Sequence, residues 1–223
     1  MHYFLGVSRA PEQENPYASL TQISDFPFLL SFSSSFLLVH SVSAYTVLGK
    51  KWPNANAHYS IDASYSNQGP GWNGRANNAI NSWNAIGNTP FRFLANGGDG
   101  DNHVQAGDPS CSANNPPCLA GTVRFTNGNA ITQFLVIINV FDGYSFYDGT
   151  QAPTIPTNYY DLESATRHEL GHALGLCHSA RGNLMAAGFA AGTLYPIDKD
   201  SKKGDRFLYN PNYTGVGPEG PCF

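Results

Sequence analysis

The stretch HELGHALGLCH, residues 168–178, sets three histidines, a glutamate and two glycines within eleven residues. Residues four apart share one helical face with Cβ atoms about 6 Å apart, so His168 and His172 can offer imidazole nitrogens to one Zn²⁺ at about 2.0–2.1 Å. Glu169 points about 100° round the helix from His168, too far to join them as a ligand but near enough to take a proton from a water held at the ion. On a continuing helix His178 would be out of reach. Gly175 supplies the interruption, because a left-handed C-terminal residue costs glycine no Cβ clash and lets the chain swing His178 back. Three nitrogens leave zinc a fourth corner for water, the arrangement of catalytic rather than structural sites. With this composition the full HExxHxxGxxH spacing arises by chance on the order of once in 10⁵ such chains, which makes it far more specific than HExxH alone.

The 223 residues suffice for one domain with a real core. A net charge of −4 with only 13% charged residues supplies no basic stripe, which excludes nucleic acid and an anionic membrane surface as expected partners. Twenty-three glycines and fifteen prolines predict long irregular segments, while 13% aromatic residues argue for a packed fold rather than disorder. The N-terminal region differs: FPFLLSFSSSFLLVHSV (26–42) is apolar and serine-interrupted, and Val42 and Ala44 place small residues where a signal peptidase cuts. Residues 1–44 are therefore expected to be a secretory leader and 45–223 the functional domain, with a buried core segment or a membrane anchor as the competing readings. After leader removal no membrane insertion is expected, and the domain is expected to be a monomer.

Cys111, Cys118, Cys177 and Cys222 make an even set, which in a secreted chain points to two disulfides among three possible pairings. SANNPP between the first two forms turns and favours a local Cys111–Cys118 bridge, leaving Cys177 to tie the motif region to Cys222; four separate buried thiols are the alternative. Asn212-Tyr213-Thr214 is the one N-x-S/T acceptor.

Alternating Tyr59, Ile61 and Ala63 predict a first strand. Ala76, Ala79, Ile80, Trp83 and Ile86 recur at helical spacing and predict a helix over about 74–86. Runs at 91–95, 103–107, 121–126 and 133–141 read as strands. Asn158 or Asp161 caps a helix running to about Leu176, on which Leu170 and Leu174 face away from His168 and His172. A short helix lies within 197–210 with Asp198 near its cap. The order predicts a mixed sheet with helices on one side.

HELGHALGLCHS followed by Asn183-Leu184-Met185 resembles the metzincin metallopeptidases, and Ser179 after the third histidine resembles their matrixin branch. Weaker likenesses extend through Trp52, SWNAIGNTPFRF (82–93), LAGT (119–122), IIN (137–139) and DKDSKKGDRFLYN (198–210). The resemblance implies an α+β fold: a twisted mixed five-stranded sheet, two long helices, and a small loop-rich C-terminal subdomain with a terminal helix. It also implies one catalytic zinc on His168, His172 and His178, Glu169 as general base, Met185 as a methionine turn beneath the metal, and the strand near 121–126 as the edge to which an extended peptide substrate adds. A gap-filling core methionine is the plainer reading of Met185.

No propeptide cysteine of the animal matrixins lies between 45 and Trp52, and no histidine-rich loop for a second zinc is recognisable. His103 with Asp99, Asp101 and Asp108 is a loose candidate for structural calcium or zinc. DGDN (99–102) and DGYSFYDG (142–149) do not match a calcium loop and read as solvated turns. His2, His40 and His58 have no partners in sequence and are not expected to be ligands. Three functional readings follow: a secreted zinc endopeptidase acting on extended protein segments, for example in extracellular matrix; a secreted zinc-holding binding or toxin-like module of the same fold; and a loop-rich carbohydrate-binding domain, which leaves the histidine spacing unaccounted for.

Overall fold

The computed structural model describes residues 45–95, 102–110, 118–179, 182–215 and 217–218. The chain divides into two units, Met1–His40 and Ser41–Phe223, and all described residues belong to the second. The expected leader, the turn at 112–117, Cys111, Cys222, Asp99 and Asp101 lie outside the described residues.

The elements run β1 (Asn56–Ile61), α1 (Ala63–Ser66), α2 (Trp72–Asn84), β2 (Arg92–Ala95), β3 (His103–Gly107), β4 (Ala120–Asn127), β5 (Ala130–Asn139), β6 (Phe146–Tyr147), β7 (Tyr160–Asp161), α3 (Leu162–Leu174) and α4 (Lys199–Tyr209). Five strands form one sheet in the order β2-β1-β3-β5-β4, and β6 and β7 pair as a separate parallel ribbon. Every pairing in the large sheet is parallel except β4 on β5, an antiparallel hairpin turned at Gly128, whose φ is +56°. That hairpin leaves β4 as a sheet edge. This is the mixed five-stranded α+β architecture the resemblance implied.

Local chemistry sets the boundaries. β1 stops before Ala63, which the alternating pattern had placed on the strand: the Asp62 carboxylate accepts from Ser64 N at 2.7 Å and caps α1 instead. α2 begins at Trp72, two residues earlier than its spacing suggested, because Trp72 is core, edge-on to Tyr65 and Phe146 at 4.9 and 5.7 Å between ring centroids. Of the two candidate caps for α3, Asp161 takes the role, its carboxylate accepting from both the N–H and the hydroxyl of Ser164 at 2.9 Å. α1 and the β6/β7 ribbon are too short to carry a periodic signal.

The core lies between the sheet and the helices. β5 contributes Ile131, Phe134, Val136 and Ile138, all fully buried. α2 buries Ala76, Ala79, Ile80 and Trp83 as one stripe and packs on α3, which also packs on β4 and β5. Two indoles fix α3 by its backbone: Trp83 Nε1 donates to Arg167 O and Trp52 Nε1 to Ala173 O, each at 2.9 Å. Arg167 is itself buried, donating to Ser82 Oγ at 2.8 Å and Tyr195 O at 2.7 Å and pairing with Glu163. DGYSFYDG departs from the solvated-turn expectation at its far end, where Asp148 is buried and accepts from the N–H and hydroxyl of Thr150 at 2.9 and 2.6 Å.

One buried acid has a pH consequence. Asp205 on α4 is 1% exposed, and its nearest donor is Thr89 Oγ1 at 3.3 Å. Burial pushes the carboxyl from 3.8 up to about 7, against the opposing pull of Thr89, Arg92 and Arg206. A folded pKa above the unfolded one means that the group stabilises the fold at acid pH and that this stabilisation is lost as pH rises through about 7. Melting temperatures of wild type and Asp205→Asn measured across pH 5–8 are expected to diverge, the wild type losing stability relative to the variant as pH rises. Parallel curves would show that Asp205 titrates normally.

Candidate metal centre and cleft

α3 presents its histidines because its opposite face is anchored: Leu170 and Leu174 are fully buried in the core. The helix ends as Gly175 enters the left-handed region at φ +116°, ψ 7°. Gly175 N donates to His172 O and Leu176 N to Gly171 O, both at 3.0 Å, the paired bonds of a Schellman turn. A Cβ at Gly175 would lie 2.8 Å from Lys50 O, so glycine is required by space as well as by backbone conformation.

Past the turn, an incoming segment holds the chain. Cys177 N donates to Thr46 O at 3.0 Å, Leu48 N to Gly175 O at 2.9 Å, and the Thr46 hydroxyl to His178 O at 2.7 Å. His178 is thereby directed back at α3, and one ligand atom from each of His168, His172 and His178 lies within 4.8 Å of the others. The ring centroids are 4.6, 4.8 and 5.4 Å apart.

The tautomers follow from the acceptors. His168 Nδ1 sits 2.7 Å from Leu184 O, and His172 Nδ1 sits 2.9 Å from Leu176 O. A carbonyl only accepts, so both Nδ1 atoms carry the proton and both Nε2 atoms carry a lone pair. Those two Nε2 atoms face one another at 3.0 Å. Two lone pairs repel at that distance, whereas two nitrogens bound tetrahedrally to one zinc stand about 3.3 Å apart. Burial drives the His168 ring down to about 4, His172 well below its ordinary value and His178 downward as well, so all three are neutral near pH 7, as metal ligands must be. The donor set fits a zinc ion.

Met185 is 2% exposed and lies against Gly171 of α3, next to His172 in the chain, where an added Cβ would collide with the Met185 sulfur and sit 3.0 Å from Trp83 Cζ2. The Met185 loop is closed by Ser179 N donating to Met185 O at 2.8 Å. Asp198, the cap of α4, fixes the same loop by accepting from Leu184 N at 2.8 Å, and the Leu184 carbonyl is the one that holds His168. Phe189 meets the His168 ring edge-on at 5.2 Å and stacks on Tyr195 at 4.3 Å, so the segment after Met185 walls one side of the site.

Beside Glu169 a cleft of about 250 Å³ is lined by Ala120, Gly121, Thr122, Arg124, Glu169, His172, Cys177 and His178. A larger groove of about 670 Å³ beside α4, near Asn88 and Arg206, holds no metal-type cluster among the described residues. The Thr122 hydroxyl reaches Glu169 Oε2 at 2.7 Å. Burial raises the Glu169 carboxyl to about 7, while the Thr122 hydrogen bond and the Arg124 charge pull the other way. Arg124 Nη1 donates to His172 O at 2.9 Å and Leu176 O at 3.3 Å, a second donor to carbonyls that already accept from Gly175 N and His172 Nδ1.

His168, Glu169, His172, His178 and Met185, all singled out by spacing, come together here. Cys118 and Cys177 are both in disulfides; Cys111 and Cys222 fall outside the described residues. His103 instead lies 2.8 Å from Ser60 Oγ, and Asp108 caps Ser110 N, so neither belongs to a metal cluster among the described residues. His58 is exposed. Thr46, Thr122, Arg124, Asp198 and the Leu184 carbonyl were not foreseen as site residues. The sequence signals that bear on them are strand parity, which puts Thr122 and Arg124 on one face of β4, and the helix-capping position of Asp198.

Gly175→Ala is expected to cost about 1–3 kcal/mol in stability and to weaken zinc binding roughly tenfold in a competition titration with a chromophoric chelator. Gly87→Ala, whose added methyl meets nothing within 4 Å, should change neither. Unaltered zinc affinity in Gly175→Ala would show that the turn does not position His178.

A family model of matrixin matches residues 51–210, a span that includes the three histidines, Glu169, Met185 and the five-stranded sheet. The chain therefore belongs to the matrixin family of metallopeptidases.

Proposed function

We propose that the chain is a secreted zinc-dependent endopeptidase that cleaves extended protein segments, with Glu169 as general base. The single observation that carries this reading is the pair of unprotonated Nε2 atoms 3.0 Å apart, with His178 closing the third side and Glu169 beside them. When bound, zinc supplies Lewis acidity toward a scissile carbonyl and lowers the pKa of a nearby water.

The protein residues do the rest. His168, His172 and His178 are the ligands, oriented by the Leu184 and Leu176 carbonyls and by the Thr46 strap. The Glu169 carboxylate takes a proton from the attacking water and returns it to the leaving amine. Thr122 holds that carboxylate in place through Oε2, leaving the second oxygen for the proton transfer. The outer edge of β4 offers backbone donors and acceptors on which an extended peptide can pair as a further strand, which favours an endopeptidase over an enzyme reading chain ends. Disulfides at Cys118 and Cys177 suit an oxidising, extracellular compartment, and no helix among the described residues is long and apolar enough to cross a membrane.

Cleavage of casein or gelatin, with about one zinc per chain, is the expected result. Chelation should abolish it, and Glu169→Ala should lower kcat/KM by about 10²–10⁴ while zinc stays bound. Zinc binding without cleavage of any peptide in a library would instead identify a binding module. Thr122→Val removes the hydroxyl that favours ionised Glu169, so the acid limb of the kcat/KM profile should move to higher pH. A limb that stays in place would assign that ionisation to another group.

A further inference from the structure

Arg124 has a placement that zinc chemistry does not require. It lies on β4 two residues beyond Thr122, so both side chains leave the strand on the face toward α3, while Val123 and Phe125 project from the other face and are 41% and 46% exposed. The strand repeat puts Arg124 about 7 Å along the cleft from Thr122, the residue that contacts Glu169. Its neighbours there are the C-terminal end of α3 and His178.

The guanidinium is only partly accounted for by its contacts. Nη1 donates to two neutral carbonyls, and no carboxylate among the described residues forms an ion pair with Arg124. Among the described residues Nε and Nη2 donate to no protein group, and Arg124 lines the cleft. These two donors are therefore available to a group bound in the groove. Glu169 lies within range of the Arg124 charge but forms no ion pair with it, so this half-buried cation presents a planar fork to the groove that a carboxylate matches in bidentate geometry. A neutral side chain docked there would give the fork no charged acceptor, and a basic one would add like-charge repulsion.

We propose that Arg124 is a specificity-determining residue that selects an acidic side chain in the substrate, about two residues from the scissile bond on the side of the α3 C-terminus. The inference rests on the peptidase reading above and gives that activity a substrate class: extended segments carrying Asp or Glu beside the cleavage point. A strand paired along β4 repeats its side chains with the same period as Arg124 and Thr122, so a peptide held at Glu169 brings a same-face residue to the guanidinium.

The test uses one cleavable peptide core with Glu, Gln or Lys placed at each position flanking the scissile bond. For the zinc-loaded wild-type chain, kcat/KM is expected to be higher for Glu than for Gln by on the order of tenfold at one position on one side, with Lys lower still and the preference shrinking as salt rises. Arg124→Gln should erase the preference and Arg124→Glu should turn it toward Lys. Melting temperature and zinc content of each variant are measured alongside, since Arg124 also caps α3. Should a variant not fold, the Glu, Gln and Lys comparison on the wild-type chain decides alone. Binding of the same peptides to zinc-loaded Glu169→Ala by fluorescence anisotropy gives a readout independent of turnover. Cleavage with equal rates for Glu and Gln at every position overturns the role of Arg124 and leaves the peptidase reading intact. Absence of all cleavage with tighter binding of the Glu peptides overturns the peptidase reading and supports the acidic subsite, whereas absence of both overturns the two together.

Discussion

The left-handed turn at Gly175 is the constraint on which the site depends. α3 can bring two imidazoles to one point by periodicity alone, but a third has to come from a chain that has stopped being helical. The turn satisfies the last carbonyls of α3 through its two paired bonds and reverses the chain within two residues. Only glycine fits, since both the backbone angle and the Lys50 carbonyl exclude a Cβ. The same turn is gripped from outside by Thr46 and Leu48 and from the strand side by Arg124, so two other parts of the chain hold the segment that carries His178.

The supports of the three-histidine site belong to the core. Trp83 and Trp52 hydrogen-bond to α3 carbonyls at both ends of the histidine face, and Leu170 and Leu174 seat the helix on the other side. Asp198 links the cap of α4 to the Leu184 amide, and the Leu184 carbonyl sets the tautomer of His168. A change at the start of α4 therefore reaches the His168 ring at Nδ1 through two hydrogen bonds. Gly171 contributes by lacking a side chain, which brings Met185 against the helix at the residue next to His172. These supports hold two lone pairs in a mutually repulsive geometry that a cation relieves, the kind of local conflict found where structure serves binding.

Much of the fold was legible because its elements carry strong periodic or capping signals. β3 matches the expected 103–107 span, and Asp198 caps the terminal helix as its position suggested. The helix bearing the motif ends at Leu174, with Gly175 as its cap. What the pattern missed was decided by contacts distant in sequence: α2 starts early because Trp72 packs on Tyr65 and Phe146, and Asp148 is buried against its own turn rather than solvated. The Asn158-or-Asp161 ambiguity could not be resolved locally, since both are good caps and only the surrounding packing chooses.

By itself the sequence determined that the three histidines converge, because i, i+4 spacing and a helix-ending glycine are local geometry that any α-helix enforces. It equally determined that Glu169 stands beside the first histidine, one step round the helix, which is a property of helical phase. Only the tertiary structure decided the electrostatics: which ring nitrogens keep their lone pairs, that Thr122 and Arg124 from a strand some fifty residues away face Glu169 and the end of α3, and that Glu169 is buried enough to titrate at about 7. Protonation states depend on donors, acceptors and solvent supplied by other elements, and those neighbours are set by how the sheet and helices pack rather than by spacing along the chain.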